Sequence, residues 1–145
     1  MAGIYIHIPF CKRRCIYCDF FSTTQSEKKP TYIHALCQEL EIRKDYLQGE
    51  DIETIYLGGG TPSQLSLEEL ESIFTTIYNI YKVKEDAEIT LEANPDDLSE
   101  ERIIELSKTR INRLSIGIQS FFEEDLKMMN RAHNSAEAKK SLQIA

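Results

Sequence analysis

The sequence predicts an α/β protein with a parallel sheet, and three observations support this fold class. Short apolar runs alternate four times with longer amphipathic runs, which is the order expected of consecutive βα units. Loop-forming sequences follow these runs, among them Gly-Gly-Gly at 58–60 and Asn-Pro-Asp-Asp at 94–97. Apolar and polar residues alternate within three of the four short runs, as they do in strands. Right-handed crossovers would make the four strands parallel.

The first βα unit is predicted from an alternating strand and a helix with a start signal. Residues 4–10 alternate isoleucine with Tyr5 and His7, which indicates a strand. Residues 32–46 have the spacing of an amphipathic helix. Thr31 follows a proline and is the expected N-cap, because its hydroxyl can accept a hydrogen bond from the first turn.

The second and third units follow the same plan. Residues 54–57 predict a short strand that ends in the glycine triplet, and a helix runs from 66 to about 78. Ser66 and Glu69 form the sequence signature of a capping box. Residues 88–93 predict the third strand, and Ser99 is the expected N-cap of a helix extending to about residue 108.

The fourth unit completes a sheet with one polar face. Residues 113–119 predict a strand, and a short helix near 123–129 and a further helix from about residue 135 follow it. Parallel strands covered on both faces are usually apolar throughout. The pattern therefore favours a barrel whose lumen holds a polar ligand over a sheet with one solvated face. The polar positions on three of these strands are Tyr5, His7, Thr90, Glu92, Asn94, Ser115, Gly117 and Gln119.

Composition and charge restrict the class of protein. A chain of 145 residues with 41% hydrophobic residues is large enough for one domain with a core. The net charge of −7 argues against a nucleic-acid-binding face. No run of about 18 apolar residues predicts a transmembrane helix, and the first residues lack the features of a signal peptide. Four cysteines without an export signal predict a reducing, cytoplasmic location.

Three cysteines form a C-x3-C-x2-C motif at Cys11, Cys15 and Cys18. Three thiolates on one loop hold three irons of a [4Fe–4S] cluster and leave the fourth open for a ligand, which is the interpretation we favour. A zinc site completed by His7 or by a distant residue is the alternative. A disulfide would leave one of the three thiols over. Cys37 lies in a predicted helix and is expected to be a small buried hydrophobe.

Further candidate ligand-binding residues stand near the ends of the predicted strands. Glycines 58–60 and Thr61 follow the second strand, where they allow a ligand to approach the backbone, although a tight turn also explains them. Glu92 on the polar face suits an ammonium group or ribose hydroxyls, with a salt bridge as the alternative. Gln119 ends the fourth strand, and Arg131 either reaches back to a carboxylate or is an ordinary exposed arginine.

Two loop features remain open to more than one interpretation. Lys12, Arg13 and Arg14 separate the first two cysteines. They offset cluster charge, raise the reduction potential of the cluster, dock an acidic electron carrier, or form a solvated loop tip. His133 is a candidate haem ligand, but a role as cap of the following helix is the favoured interpretation.

These motifs together resemble the radical S-adenosylmethionine (SAM) superfamily, and within it oxygen-independent coproporphyrinogen III oxidase and its relatives. The segments that carry the resemblance are YIHIPFC at 5–11, GGGTPS at 58–63, LEANP at 91–95 and RLSIGIQS at 113–120. The resemblance implies a partial (β/α)6, TIM-like barrel, of which residues 1–145 supply the first four βα units. It implies that the three motif cysteines bind the cluster. It also implies SAM contacts by Tyr5, Tyr17, Gly59, Gly60, Thr61, Glu92, Gln119 and Arg131.

Two departures from the oxidase indicate a particular branch of these relatives. The oxidase resembles C-x3-C-x2-C-x-C, whereas Phe20 occupies the last position here. The oxidase also has an N-terminal arm, whereas four residues precede Tyr5 here. Both departures, and His133 after Arg131, resemble the haem chaperone branch. We therefore expect a haem chaperone that inserts haem into target proteins. The alternative is an oxidase that decarboxylates coproporphyrinogen III to protoporphyrinogen IX, and whether the chain is an enzyme stays open.

The resemblance also implies cofactors and partners. The expected cofactors are a [4Fe–4S] cluster and SAM, which the cluster cleaves reductively, and haem is a further candidate ligand. Haem or a porphyrinogen and an electron donor such as a flavodoxin are the expected partners. The chain ends within a helical pattern, so we expect an N-terminal fragment, and a homodimer that covers the open strand edge is a further expectation.

Overall fold

A computed structural model describes residues 2–145, and a parallel sheet of four strands forms its centre. The sheet has the order β1-β2-β3-β4, and each neighbouring pair is parallel, as predicted. Leu57 in β2 lies opposite Ile6 in β1 and Leu91 in β3, so the apolar positions of adjacent strands share one face. The strands are β1 (Ala2–Ile8), β2 (Ile52–Gly59), β3 (Val83–Ala93) and β4 (Arg113–Ile116).

Helices connect the strands and cover the apolar face of the sheet. Three one-turn 3₁₀ helices lie within residues 2–145, at Ser26–Lys28, Pro62–Gln64 and Pro95–Asp97. The last two follow the ends of strands β2 and β3. Proline at the start of a helical turn loses no hydrogen bond, because the first N–H groups have no partner within the helix. The α-helices are α1 (Lys29–Ile42), α2 (Leu67–Ile80), α3 (Glu100–Leu106), α4 (Glu123–Met128) and α5 (Ser135–Ile144).

One face of the sheet forms the hydrophobic core. Ile8, Ile55 and Leu91 are fully buried there, and α2 contributes Ile73 and Ile77 from the other side. Burial of one such side chain contributes roughly 1.5–3 kcal/mol, so this layer fixes which face of each strand points inward. The predicted alternation of the strands is confirmed, because the intervening polar residues point to the opposite face.

The polar face is partly exposed within residues 2–145. Tyr5 is 59% exposed and stacks on Tyr56 of the neighbouring strand at 6.0 Å between ring centroids. Thr90 is buried beside Arg113, whose Nη1 donates to the threonine hydroxyl at 3.2 Å. That this face lines a lumen with a polar ligand stays a prediction.

Two of the predicted helix starts are confirmed and one is wrong. Ser66 and Glu69 form a complete capping box on α2, and the hydroxyl of Ser99 accepts from the N–H of Arg102 on α3. Thr31 does not cap α1, because that helix begins at Lys29 and Pro30 lies in its first turn. The proline has no N–H to satisfy there, so the helix starts two residues before the threonine. The helix also ends at 42 and not at 46.

The fourth strand is shorter than the sequence predicts. β4 ends at Ile116, and Gly117 donates one more hydrogen bond to Ala93 O at 2.9 Å. The chain then turns, with Ile118 N bonded to Ile116 O and Gln119 at a φ of 68°. Gln119 therefore lies beyond the strand and not at its last position. Strands β2 and β3 are longer than predicted, since they begin at 52 and 83.

His133 does not cap the last helix, which corrects the favoured interpretation. Asn134 is the N-cap of α5, and its side chain accepts from Glu137 N. The His133 side chain is buried instead, with Nε2 at 3.0 Å from Ile118 O and with Nδ1 lacking a partner among residues 2–145. Burial, together with the positive charge of Arg131, lowers the pKa of the His133 imidazole below its ordinary value.

This depressed pKa predicts a pH-dependent stability. The unfolded histidine takes up a proton near its ordinary pKa of about 6.5, whereas the folded state resists protonation. The free energy of unfolding should therefore fall as pH drops below about 6.5. His133→Gln keeps a donor for Ile118 O without a titratable group, so its loss of stability between pH 7 and 5.5 should be smaller. Urea unfolding at both pH values measures this, and parallel losses in the two proteins would contradict it.

Candidate site at the carboxyl ends of the strands

The three motif cysteines converge on one small pocket. They lie on the loop after β1 and line a cavity of about 60 Å³ together with Thr61 and Arg131. The loop is fixed by backbone hydrogen bonds from Cys11 N to Thr23 O at 2.9 Å and from Cys18 N to Cys15 O at 3.2 Å. All of these thiols are free. The spacing in the sequence thus brings three sulfur donors to one place.

His7 is not placed to complete a zinc site with the three cysteines. Both ring nitrogens of His7 are engaged, with Nδ1 at 3.1 Å from the Tyr5 hydroxyl and Nε2 at 2.9 Å from Phe21 O. These contacts disfavour zinc completed by His7, while completion by a distant residue stays an alternative.

Two of the motif sulfurs receive hydrogen bonds from the surrounding loops. The Thr61 hydroxyl donates to Cys11 Sγ at 3.4 Å, and Arg131 Nη1 donates to Cys15 Sγ at 3.5 Å. Burial raises the pKa of the Cys11 thiol, and the threonine hydrogen bond partly opposes this effect. A metal that replaces the thiol proton would be stabilised by the same donors.

The three basic residues between Cys11 and Cys15 have different roles. Lys12 forms salt bridges with Asp96, at 2.8 Å, and with Asp97, so its charge is neutralised and it ties the cysteine loop to the turn after β3. Arg13 and Arg14 remain exposed. Lys12 is therefore structural, whereas the exposure of Arg13 and Arg14 agrees both with a solvated tip and with docking of a carrier.

A second cleft adjoins the cysteine pocket. It has a volume of about 260 Å³ and also contains Phe20, Asn94 and Ser115. Seven of the eight residues that the resemblance assigns to SAM line it, whereas Tyr5 lies outside, against Tyr56 and His7. The seven are Tyr17, Gly59, Gly60, Thr61, Glu92, Gln119 and Arg131.

Glu92 is held by two donors and by no salt bridge. Its Oε1 accepts from the Tyr56 hydroxyl at 2.7 Å, and its Oε2 accepts from Gly59 N at 3.0 Å. No basic side chain pairs with it in the described part of the chain, so the salt-bridge alternative is wrong. Each carboxylate oxygen can accept more than one hydrogen bond, which leaves acceptor capacity facing the cleft.

Two glycines of the triplet are required by the packing of the chain itself. Gly59 has a φ of 110°, and a Cβ there would lie 2.6 Å from the His7 ring. A Cβ on Gly60 would lie within 2.9 Å of backbone atoms of residues 8, 9 and 10. Gly60 N also donates to Ile8 O at 2.7 Å. The tight-turn interpretation is therefore correct, and the same turn lines the cleft.

Arg131 is the most connected side chain of the site. Its Nη2 donates to Asn94 Oδ1 at 2.8 Å and to Gly117 O, and its Nη1 donates to the Tyr17 hydroxyl at 3.3 Å as well as to Cys15. Its Nε is buried without an acceptor within residues 2–145. It is therefore not an ordinary exposed arginine.

Asn94 is a site residue that the sequence analysis placed on the polar face but did not assign to a cofactor. The sequence indicated loop-forming residues at 94–97, but Asn94 lines both the pocket and the cleft and contacts Thr61 and Arg131. The signal was its position two residues after Glu92, directly after the end of β3.

Cys37 lies apart from the site. It is half-buried in α1 against the core, with Sγ at 3.9 Å from Ser72 O. Its expected role as a small hydrophobe agrees with this position, although its burial is partial.

A family model and several known proteins match nearly the whole chain. The model of the family described as "Radical SAM superfamily" matches residues 5–145. The chain is 40% identical over 145 residues to "Heme chaperone HemW" of Escherichia coli K12, covering 99% of this chain and 38% of that protein. It is also 40% identical over 147 residues to the protein of that name from Bacillus subtilis 168, covering 100% of this chain and 39% of the relative. The chain thus spans about two-fifths of these relatives' length.

Solved structures agree with these matches. Coproporphyrinogen III oxidase (HemN) from Escherichia coli, described as a radical SAM enzyme, superimposes with a TM-score of 0.90 at 30% identity. The superposition covers 99% of this chain and 33% of the oxidase chain. Archaeal Elp3 from Methanocaldococcus infernus, at 15% identity and a TM-score of 0.61, shares the fold. No helix within residues 2–145 is long and apolar enough to cross a membrane.

The double acceptor role of Glu92 predicts an effect of its substitution. Glu92→Gln removes the negative charge, and only one orientation of its amide satisfies both partners. In that orientation the carbonyl oxygen accepts from Gly59 N, and the NH₂ group donates to the Tyr56 hydroxyl, which can turn to accept. Because two charge-assisted hydrogen bonds of a half-buried carboxylate become neutral ones, we expect the free energy of unfolding to fall by about 1 kcal/mol. Glu88→Gln, four residues earlier on β3 and exposed, should change it by less than about 0.5 kcal/mol. Equal effects in denaturant unfolding would contradict this role.

Proposed function

Because this chain belongs to the radical SAM superfamily, we propose that Cys11, Cys15 and Cys18 bind a [4Fe–4S] cluster beside a SAM-binding cleft. The observation that carries the proposal is the convergence of three free thiols on one pocket. That pocket shares Tyr17, Thr61 and other lining residues with the larger cleft. When bound, the cluster supplies the electron that cleaves the sulfonium of SAM reductively, and the protein supplies binding and orientation.

The residues present fit these two cofactors. Thiolates are the usual ligands of iron–sulfur clusters, and hydrogen bonds to their sulfurs are common tuning devices. The buried Nε–H of Arg131 has no acceptor among residues 2–145, and a carboxylate in the cleft would satisfy it. The free acceptor capacity of Glu92 suits an ammonium group or ribose hydroxyls.

We also assign the remaining candidate residues to SAM binding, although the contacts that support the assignment differ from residue to residue. Gly59 and Gly60 bring the backbone to the wall of the cleft, Tyr17 bonds to Arg131, and Gln119 lies exposed at its edge. Tyr5 is a proposed contact that rests on the resemblance alone, since it stands outside the cleft.

Cluster assembly has a direct test with an internal control. After anaerobic reconstitution with iron and sulfide, the protein should bind four irons, and SAM should change the EPR spectrum of the reduced cluster. Substitution of any of Cys11, Cys15 or Cys18 by serine should abolish or severely reduce iron binding. Cys37→Ser should leave it unchanged, because that thiol lies apart from the pocket. A stable zinc complex in place of the cluster would refute the proposal.

We propose that the longer protein to which this sequence corresponds is a haem chaperone, with residues 1–145 forming the first part of its barrel domain. Relatives with this name are 40% identical across the chain. Phe20 also stands where the oxidase-like motif has a further cysteine, which favours the chaperone branch. The exposed Arg13 and Arg14 suit the docking of an acidic electron donor, such as a flavodoxin, next to the cluster.

An oxidase acting on coproporphyrinogen III is the second candidate. The superposition on HemN, with a TM-score of 0.90, favours it, because the first βα units of the two proteins are nearly the same. This part of the barrel is common to both candidates, so substrate assays must separate them.

The two candidates predict opposite results with the full-length protein. A chaperone should bind haem and transfer it to an apo haem protein without converting coproporphyrinogen III. Spectroscopic haem titration and a transfer assay measure the first property, and product analysis under reducing conditions with SAM measures the second. Multiple turnovers to protoporphyrinogen IX would overturn the chaperone proposal.

A further inference from the structure

A continuous series of hydrogen bonds joins Arg131 to Cys11 through Asn94 and Thr61. Arg131 Nη2 donates to Asn94 Oδ1 at 2.8 Å, and Asn94 Nδ2 donates to Thr61 Oγ1 at 3.2 Å. The Thr61 hydroxyl then donates to Cys11 Sγ at 3.4 Å. Each donor in the series meets an acceptor, and the last acceptor is a proposed cluster ligand.

The direction of this series is fixed by the chemistry of its members. Arginine can only donate, so the oxygen of the Asn94 amide must face it. The amide NH₂ therefore faces Thr61, whose oxygen accepts this hydrogen bond. The single hydroxyl proton of the threonine is then left for Cys11. Thr61 is 3% exposed, so water does not offer its hydroxyl an easy alternative.

The backbone of Asn94 is itself held in position by its surroundings. Its backbone N–H donates to Ser63 Oγ at 3.3 Å, and the Ser63 hydroxyl donates to Asp97 at 2.7 Å. Asp97 is also paired with Lys12, next to Cys11. The Asn94 backbone is thus anchored just after β3 by contacts separate from the series that its side chain joins.

We infer that Asn94 is a positioning residue that aims the Thr61 hydroxyl at Cys11 and so raises the reduction potential of the cluster. The inference rests on the proposed cluster. Hydrogen bonds to cluster sulfurs raise its potential, because they stabilise the more negative reduced form. One guanidinium would then act on two ligands, directly at Cys15 and through Asn94 and Thr61 at Cys11.

The inference is tested by a double-mutant cycle on the cluster-loaded, full-length protein. Asn94→Asp has nearly the same shape, but its carboxylate accepts from Thr61 and turns the hydroxyl away from Cys11. Thr61→Val removes the hydroxyl at almost constant volume, and Thr61→Ser keeps it. The readout is the midpoint potential of the cluster, measured by EPR during redox titration without SAM. This readout does not depend on activity.

Thr61→Val should lower the equilibrium constant for one-electron reduction by about tenfold, which corresponds to about 59 mV. Thr61→Ser should retain the wild-type value. Asn94→Asp should lower the potential more in the wild-type background than in the Thr61→Val background, where only the through-space effect of its charge remains. Equal shifts in the two backgrounds would overturn the inference, because Asn94 would then act independently of the hydroxyl.

Two controls separate this result from general loosening and from failure of the proposed function. Ser63→Ala removes an anchor of the Asn94 backbone and leaves the side-chain series intact, so a shift as large as that of Thr61→Val would overturn the inference. If Asn94→Asp does not load iron, Asn94→Ala replaces it in the cycle under the same criterion. Absence of a cluster from the wild-type protein would refute the proposed function. If the proteins load a cluster but Asn94→Asp shifts its potential equally in both backgrounds, only the role of the hydrogen-bond series is refuted.

Discussion

The site depends on a close steric contact between two strand ends. Gly60 lies so near the backbone of residues 8–10 that a Cβ would not fit, and its N–H bonds to Ile8 O. This contact brings the turn after β2 against the start of the cysteine loop. Thr61 can therefore reach Cys11, and the pocket of the three thiols opens next to the cleft. If the two strand ends lay further apart, the turn after β2 would no longer close the pocket of the three cysteines.

The sequence predicted the features that follow from local pattern or spacing. Strand alternation placed Glu92 on the polar face correctly, and the Ser66 capping box formed as expected, because both depend on neighbouring residues. The three cysteines converged because their separation on one loop is short. The α/β class and the resemblance to radical SAM proteins were confirmed by the parallel sheet and by the family match.

Features that depend on tertiary contacts could not be predicted from local pattern. The turn that ends β4 before Gln119 depends on packing and on backbone hydrogen bonds around Gly117. His133 is buried by the approach of the chain to Ile118, which no local signal shows. The strand pattern placed Asn94 on the polar face, but its contacts in the site are with partners 33 and 37 residues away along the chain, which no local pattern shows.

The contacts of Arg131 also constrain when the site can form during synthesis. Its hydrogen bond to Cys15 spans 116 residues, and the bond between Lys12 and Asp96 spans 84. Contacts of such long separation form late, because the entropy of closing a large loop must first be overcome. The cysteines leave the ribosome early, but the wall that encloses them is complete only after α4 has been translated. Iron delivered before that point would meet three thiols on a loop that still lacks the partners holding it in place.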